Sequence, residues 1–174
     1  MLNVFMNTWG NYNENGADGG EWLTLPMDVE ELEAKLDEIA AKMGDNDPEW
    51  FINDYEWTTE ENFFDVGEND DLDEILDWLD RLETLDDYQA KALLAIMDAV
   101  TSDFEEALHY VEYDNFEFYE GYDLEDVAEE IVQDCYFTKD TPEIFERYFD
   151  YEAFARDLGF DGYEETSYGV IKVF

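Results

Sequence analysis

The sequence predicts an α+β protein laid out as an elongated row of three small domains. Three observations carry that expectation. Strand-like apolar segments open and close the chain, the middle third has only helical patterning, and acidic residues are spread evenly through all three parts. Residues 1–66 read as a three-stranded sheet plus a helix, residues 67–112 as a small helical bundle, and residues 113–174 as a short sheet plus helices.

In the first part, Leu2 to Trp9 is apolar-rich and reads as a strand, while Gly10 to Gly20 reads as a loop by its Gly and Asn content. Glu21 to Leu25 is a second short strand ending at Pro26. A helix follows, with Asp28 as N-cap, Glu31 as its capping-box partner and Gly44 just past its end. Val29, Leu32, Leu36, Ile39, Ala40 and Met43 recur at helical spacing and form its apolar stripe. Trp50 to Trp57 reads as the third strand.

The middle part offers Leu72, Ile75, Leu76, Leu79 and Leu82 as one helix face. Thr84 and Asp87 suggest the cap of a second helix, whose interior from Tyr88 to Met97 is free of acids. Ser102 is expected to open a third, with Phe104, Ala107, Leu108 and Val111 inward. In the last part, Tyr113 to Tyr119 alternates like a strand. Asp123 and Asp126 then cap a helix with Leu124, Val127, Ala128, Ile131, Val132 and Cys135 on one face. Thr141-Pro142 has the cap-then-first-position arrangement of a helix start, and Asp150 caps a helix that runs to Gly159. Tyr168 to Phe174 is the closing strand.

The chain has 50 Asp and Glu against 8 Lys and Arg, a formal net charge of −42 in 174 residues. Residues 1–66 hold 17 acids and 2 bases, 67–112 hold 15 and 2, and 113–174 hold 18 and 4. The charge is therefore a property of the whole body and not of a tail. High charge alone would signal disorder. Here 45% of residues are hydrophobic and 30 are aromatic, enough to build a core beneath a negative surface. Two carboxylates ~7 Å apart in water repel by roughly 0.6 kcal/mol before screening. A fold that tolerates so many such pairs is expected to use them.

That charge excludes an ordinary nucleic-acid binder, which needs a basic face, and argues against an anionic membrane as partner. The expected partner has a large basic cleft. With one cysteine, Cys135, no internal disulfide or thiolate cluster is expected, which suits a reducing cytoplasm. The N-terminal segment lacks the basic and apolar regions of a secretory signal, and no run is apolar enough to span a membrane. A soluble, cytoplasmic protein is the expectation.

Catalytic and cofactor signals are weak. His109 is the single histidine, and no Ser or Cys nucleophile stands in a recognisable motif with it. Cys135 falls on an apolar helix face and reads as a core residue. Carboxylate pairs are too numerous to single out a glycosidase-type dyad. The best calcium-like string, Asp45-Asn46-Asp47-Pro48-Glu49, lacks the loop glycine and is broken by Pro48 and Trp50. Gly16, Gly19 and Gly20 lack the Lys-Ser/Thr and the following helix of a phosphate loop. The expectation is no enzyme, no metal and no cofactor. Adaptation to high salt would account for the acids, but it does not call for 30 aromatic residues.

The polar helix faces are more informative. Glu30, Glu33 and Asp37 recur on the face opposite the first apolar stripe, and Asp73, Asp77 and Asp80 do the same on the next. Glu125, Glu129 and Glu130 add a third acidic surface on the helix after Asp123. At 1.5 Å rise, each face presents a charge about every 5 Å. Duplex DNA presents one per ~1.7 Å of axis. Spread at that density, the net charge would cover about 70 Å, whereas a compact sphere of this length is only about 40 Å across. An elongated body reconciles the two lengths.

The chain also resembles the ArdA antirestriction proteins of conjugative plasmids and transposons, over essentially its full length. The resemblance is carried by Asn11-Tyr12-Asn13, by Glu21-Trp22-Leu23-Thr24-Leu25-Pro26-Met27-Asp28 and by Phe51-Ile52-Asn53-Asp54-Tyr55-Glu56. It continues in Asp123-Leu124-Glu125-Asp126-Val127-Ala128 and Tyr148-Phe149-Asp150-Tyr151-Glu152-Ala153-Phe154-Ala155-Arg156-Asp157-Leu158. It implies a DNA mimic that forms an elongated homodimer. The mimic would occupy the DNA groove of type I restriction-modification enzymes, chiefly the methyltransferase core of specificity and modification subunits. The family's dimer contact maps to Asp114–Asp126 here, which places Asn115, Phe116, Phe118, Tyr119 and Tyr122 at the interface. Two other readings stay open on the residues alone. One is an acidic chaperone or partner for another basic DNA-binding protein; the other is an enzyme with an unrecognised carboxylate site, which would show a concave pocket.

Overall fold

The computed structural model describes residues 1–174. The chain is mixed α+β and divides into two compact units, residues 1–84 and 85–174. The segment expected as a central bundle, 67–112, is shared between them: its first helix belongs to the first unit and its other two to the second.

The first unit is built on an antiparallel sheet of β1 (Leu2–Thr8), β2 (Glu21–Leu25) and β3 (Trp50–Trp57), in the order β2-β1-β3. Leu2, Val4 and Met6 of the central strand are buried on one face. On the other, Asn3 bridges the neighbouring strands, accepting from Thr24 Oγ1 at 2.8 Å and donating to Glu56 Oε1 at 3.0 Å. Phe5 packs beside its register partner Trp22. The core is completed by helix α2 (Val29–Met43) through Leu32, Ile39 and Ala40, and by α3 (Leu72–Glu83) through Ile75, Leu76 and Leu79. Gly44 closes α2 in the left-handed conformation expected there. Asp28 is its N-cap residue, but its carboxylate makes no capping hydrogen bond, so the expected capping box does not form.

The stretch from Gly10 to Gly20 is not all loop. Trp9–Asn15 forms a helix, α1, with Thr8 Oγ1 accepting from Asn11 N at 3.1 Å as its N-cap. Asparagine and glycine are poor helix formers. The helix persists because Asn7, Asn11 and Asn15, spaced four apart, hydrogen-bond in series at 2.9 and 3.0 Å, while Asn11 also donates to the Asp18 carbonyl at 2.7 Å. Asn7, Thr8 and Asn11 are buried, and no buried polar side-chain atom lacks a partner. Gly20 is needed by close approach, since a Cβ there would lie 2.6 Å from the Phe5 ring.

The second unit holds a sheet of β4 (Phe116–Glu120), β5 (Glu164–Thr166) and β6 (Gly169–Val173), in the order β4-β6-β5 and antiparallel throughout. Helix α4 (Asp87–Ala99) packs on this sheet through the consecutive buried residues Ala92 to Ile96, which explains why that run contains no acid. Its cap is Asp86, in a capping box with Gln89, one residue from the expected Asp87. The Thr84 hydroxyl instead donates to the Arg81 carbonyl. Helix α5 (Phe104–Glu112) is capped by Asp103, not Ser102. Tyr113 ends that helix and Asp114 has positive φ, so the strand begins at Phe116.

A second cluster joins Val127 and Ala128 of α6 (Leu124–Ile131) to Ala155 and Leu158 of α8 (Tyr151–Phe160), with Tyr163 and Val170. Asp123 and Asp126 form the expected capping box of α6. After Ile131 the helix widens into one π turn, Val132–Tyr136, closed by Phe137 N donating to the Val132 carbonyl at 3.0 Å. The wider turn moves later residues off the α-helical stripe. Cys135 is therefore exposed and not in the core. Helix α7 (Glu143–Arg147) starts one residue later than expected, with Pro142 at the cap position. The short strand β5 had no sequence signal of its own.

Tyr163 is the most perturbed group in this unit. It is buried, its hydroxyl donates to Glu117 Oε2 at 2.8 Å, and Lys172 Nζ lies 4.5 Å from its ring centre. Burial, then the hydrogen bond to Glu117, holds its phenol well above the ordinary value of 10.0. The folded state keeps a proton that the unfolded chain releases. This contribution to stability is complete below about pH 10 and lost as pH rises beyond it. Melting temperatures from about pH 9 to 11 should fall less steeply in Tyr163→Phe than in the parent, while at pH 7 the variant should lose about 1 kcal/mol through the missing hydrogen bond.

Candidate functional site

None of the 50 carboxylates is buried. Glu21, Asp45 and Glu146 are half-buried, and the other 47 are exposed. The first unit carries 25 acidic and 3 basic residues, a net charge of −22; the second carries 25 and 5, a net charge of −20. The even distribution expected by thirds therefore holds for each compact unit.

The few cations meet carboxylates at the surface. Lys42 lies 2.6 Å from Glu21 and 3.2 Å from Glu38, and both carboxylates hold its ammonium pKa above the ordinary value. Arg81 lies 3.5 Å from Asp77, Arg147 lies 3.4 Å from Glu143, and Lys91 pairs with Glu120. Exposed pairs of this kind contribute little to stability. With 8 bases for 50 acids, the remaining charge has no internal counterion.

The nine acids expected to form a binding surface are all exposed: Glu30, Glu33 and Asp37 on α2, Asp73, Asp77 and Asp80 on α3, and Glu125, Glu129 and Glu130 on α6. Within the first unit, α2 and α3 both turn their apolar residues into the core, so their acidic faces look outward. The Glu130 carboxylate near the Tyr122 hydroxyl holds that phenol above its ordinary range. No group of His, Cys, Asp and Glu has the arrangement of a metal site. His109 is exposed and rests its ring 4.4 Å from Tyr113.

The residues expected at a dimer interface fall into two sets. Phe116 and Phe118 are buried, and both rings lie beside Tyr88, whose hydroxyl donates to the Phe118 carbonyl at 2.7 Å. Their side chains serve the second unit's own core. Asn115 and Tyr119 are half-buried, and Tyr122 is exposed. β4 is an edge strand. The Asn115 carbonyl and Gly121 amide face β6, so by alternation the backbone groups of Phe116, Phe118 and Glu120 face away from it.

Sequence reasoning missed the concave features of the first unit, among them a cleft of about 360 Å³ where Trp9, Tyr12 and Phe51 meet Asp54 and Glu68. Its lining comes from three separate stretches of chain, 9–12, 51–55 and 66–68. The clue available in the sequence was the pairing of aromatic with acidic residues around 51–55.

No helix is long and apolar enough to cross a membrane. No curated protein matches the chain. The family model of the antirestriction protein ArdA matches residues 4–172, nearly its whole length. This all-surface, unneutralised charge on two small α+β units therefore belongs to a known kind of protein: the chain is a member of the ArdA antirestriction family, inhibitors directed at type I restriction enzymes.

Proposed function

We propose that this protein inhibits a type I restriction-modification enzyme by standing in for DNA. It would occupy the DNA groove of the methyltransferase core formed by specificity and modification subunits. The observation that carries this reading is the placement of the acids at the surface: 50 carboxylates, 47 exposed and none buried, on a chain with 8 bases. The enzyme's groove is lined with Lys and Arg placed for phosphates. Carboxylates arrayed along this protein's helix faces would attract the same side chains and release the ions held by both partners. The mechanism is competition, with no bond made or broken, and the protein acts in the cytoplasm where its target works. The acidic faces of α2, α3 and α6 are the proposed contact surface.

A homodimer is part of the proposal. The support is the outward-facing backbone of Phe116 and Glu120 on the edge strand β4, where the Phe118 carbonyl between them is already bonded by Tyr88, together with the half-buried Tyr119 and exposed Tyr122, which offer limited strand pairing and aromatic contact. Sedimentation of the parent should give a dimer at micromolar concentration, and Tyr119→Asp/Tyr122→Asp should shift it toward monomer. A parent that stays monomeric would remove this part.

The function itself is tested by a gel shift in which a type I methyltransferase is offered its DNA site with increasing amounts of this protein. DNA should be displaced. The concentration needed should rise steeply between about 50 and 300 mM salt, with a slope shallower than that of DNA because the carboxylates are less evenly spaced. Displacement that is indifferent to salt would contradict the electrostatic mechanism, and no displacement would contradict the reading.

A further inference from the structure

The cleft in the first unit is the feature that the acidic faces do not account for. Trp9 and Phe51 are stacked, with ring centres 4.2 Å apart and planes 16° from parallel. Tyr12 stands edge-on to both, at 6.2 Å and 5.5 Å. Phe51 is buried, Trp9 half-buried and Tyr12 exposed, so the rings run from the floor of the cleft to its rim. Asp54 and Glu68, both exposed, share the lining with Asn53, and no Lys or Arg takes part.

The backbone builds this site at an irregularity. Phe5 of β1 pairs with Asp54 and Met6 pairs with Ile52, so Asn53 is an extra residue in the edge strand β3. Such a bulge bends the strand and re-aims its side chains. The outer edge of β3 at that point is held by Ile52 N donating to the Glu68 carbonyl at 3.0 Å, which ties Glu68 to the cleft. On the other side, Trp9 N donates to the Glu49 carbonyl at 3.0 Å and anchors α1 beside β3.

Aromatic rings with carboxylates at their margin select a cation. Phosphate is repelled, and an apolar ligand would strip water from two carboxylates without replacing it. Between the two protein cations, the geometry favours guanidinium. It is planar, weakly hydrated, able to lie against aromatic rings and able to pair with a carboxylate through two parallel hydrogen bonds, whereas ammonium is compact and strongly hydrated. We infer that the cleft receives one arginine side chain of the basic partner and anchors it between Trp9, Tyr12, Asp54 and Glu68. This rests on the reading of the protein as a ligand for a basic DNA groove, and adds to it a local point of attachment. Open carboxylate faces hold cations diffusely, while an aromatic cleft fixes one in place, the kind of contact that dominates protein interfaces.

The test uses the full chain and argininamide as probe, followed by amide and indole NMR shifts in about 0.3 M salt to suppress diffuse binding. Argininamide should shift the signals of Trp9 and Phe51–Tyr55 in a saturable way, and its neutral isostere citrullinamide should not. Asp54→Asn/Glu68→Gln should weaken that binding roughly tenfold, with the rest of the spectrum unchanged as the check on folding. Glu60→Gln/Glu61→Gln should leave it within about twofold, because those exposed acids lie outside both the cleft and the three acidic helix faces. Shifts scattered over the acidic surface, or equal affinity in the Asp54/Glu68 variant, would overturn the proposal. In the gel shift, the same variant should need several-fold more protein than the parent to displace DNA. If the parent displaces DNA and the variant does so equally well, the cleft has no part in attachment while the acidic-surface reading stands. If the parent fails to displace DNA, that reading falls, and the arginine's assigned partner falls with it.

Discussion

Mutual repulsion of surface carboxylates is the constraint on which the rest of this structure depends. The net charge of −42 is carried at the surface with few cations to offset it, and like charges repel with a range set by the Debye length, about 8–10 Å at physiological salt. Folding brings these groups closer than they are in the open chain. The molecule answers by keeping every acid at the surface and using apolar and aromatic residues for two separate cores. The acid-free run of α4 and the buried pairs Ile75–Leu76 and Val127–Ala128 are where that answer is visible.

The same constraint explains what the fold does with its polar interior. Buried polar groups are uncharged: Asn7, Thr8 and Asn11 are the buried polar residues, and Asn7 and Asn11, joined at the surface by the exposed Asn15, fix α1 through amides where a carboxylate would add repulsion to desolvation. Tyrosines are used as amphipathic links between core and acidic surface. Tyr55 donates to Asp65 and Tyr163 to Glu117, and Tyr122 lies near Glu130, so phenol hydroxyls face carboxylates at the surface. Each of these phenols is held above its ordinary pKa, Tyr55 and Tyr163 first by burial and then by the hydrogen bond, Tyr122 by Glu130. A surface made this way stays anionic without scattering hydrogen-bonding capacity at random.

Much of this was legible in the sequence, and the failures have physical reasons. Five strands follow from short apolar stretches bounded by Gly, Pro or Asp, and α2, α3 and α6 from apolar residues at helical spacing. α1 was not legible because local propensity opposes it and tertiary hydrogen bonds decide it. Cys135 was misplaced because a single π turn shifts the phase of the helix, and nothing in the spacing announces such a turn. The division of the central helices between two units depends on which surfaces α3 and α4 cover, and a stripe of apolar residues does not name its partner. The acidic faces could be read directly, since exposure of charge is the default. The cleft could not, because Trp9, Phe51 and Glu68 are distant in sequence and meet only through the register of β1 with β3.

If the charge is kept for its target and not for the fold, removing part of it should help the fold. The direct measurement is the melting temperature, at pH 8 and low salt, of a variant in which about a dozen exposed acids across both units are replaced by their amides. The account predicts that this variant melts higher than the parent, and that added salt raises the parent toward it by screening. A parent that melts higher than the variant in low salt would mean that its carboxylates stabilise the native state, and would contradict the picture of an anionic surface maintained against the stability of its own scaffold.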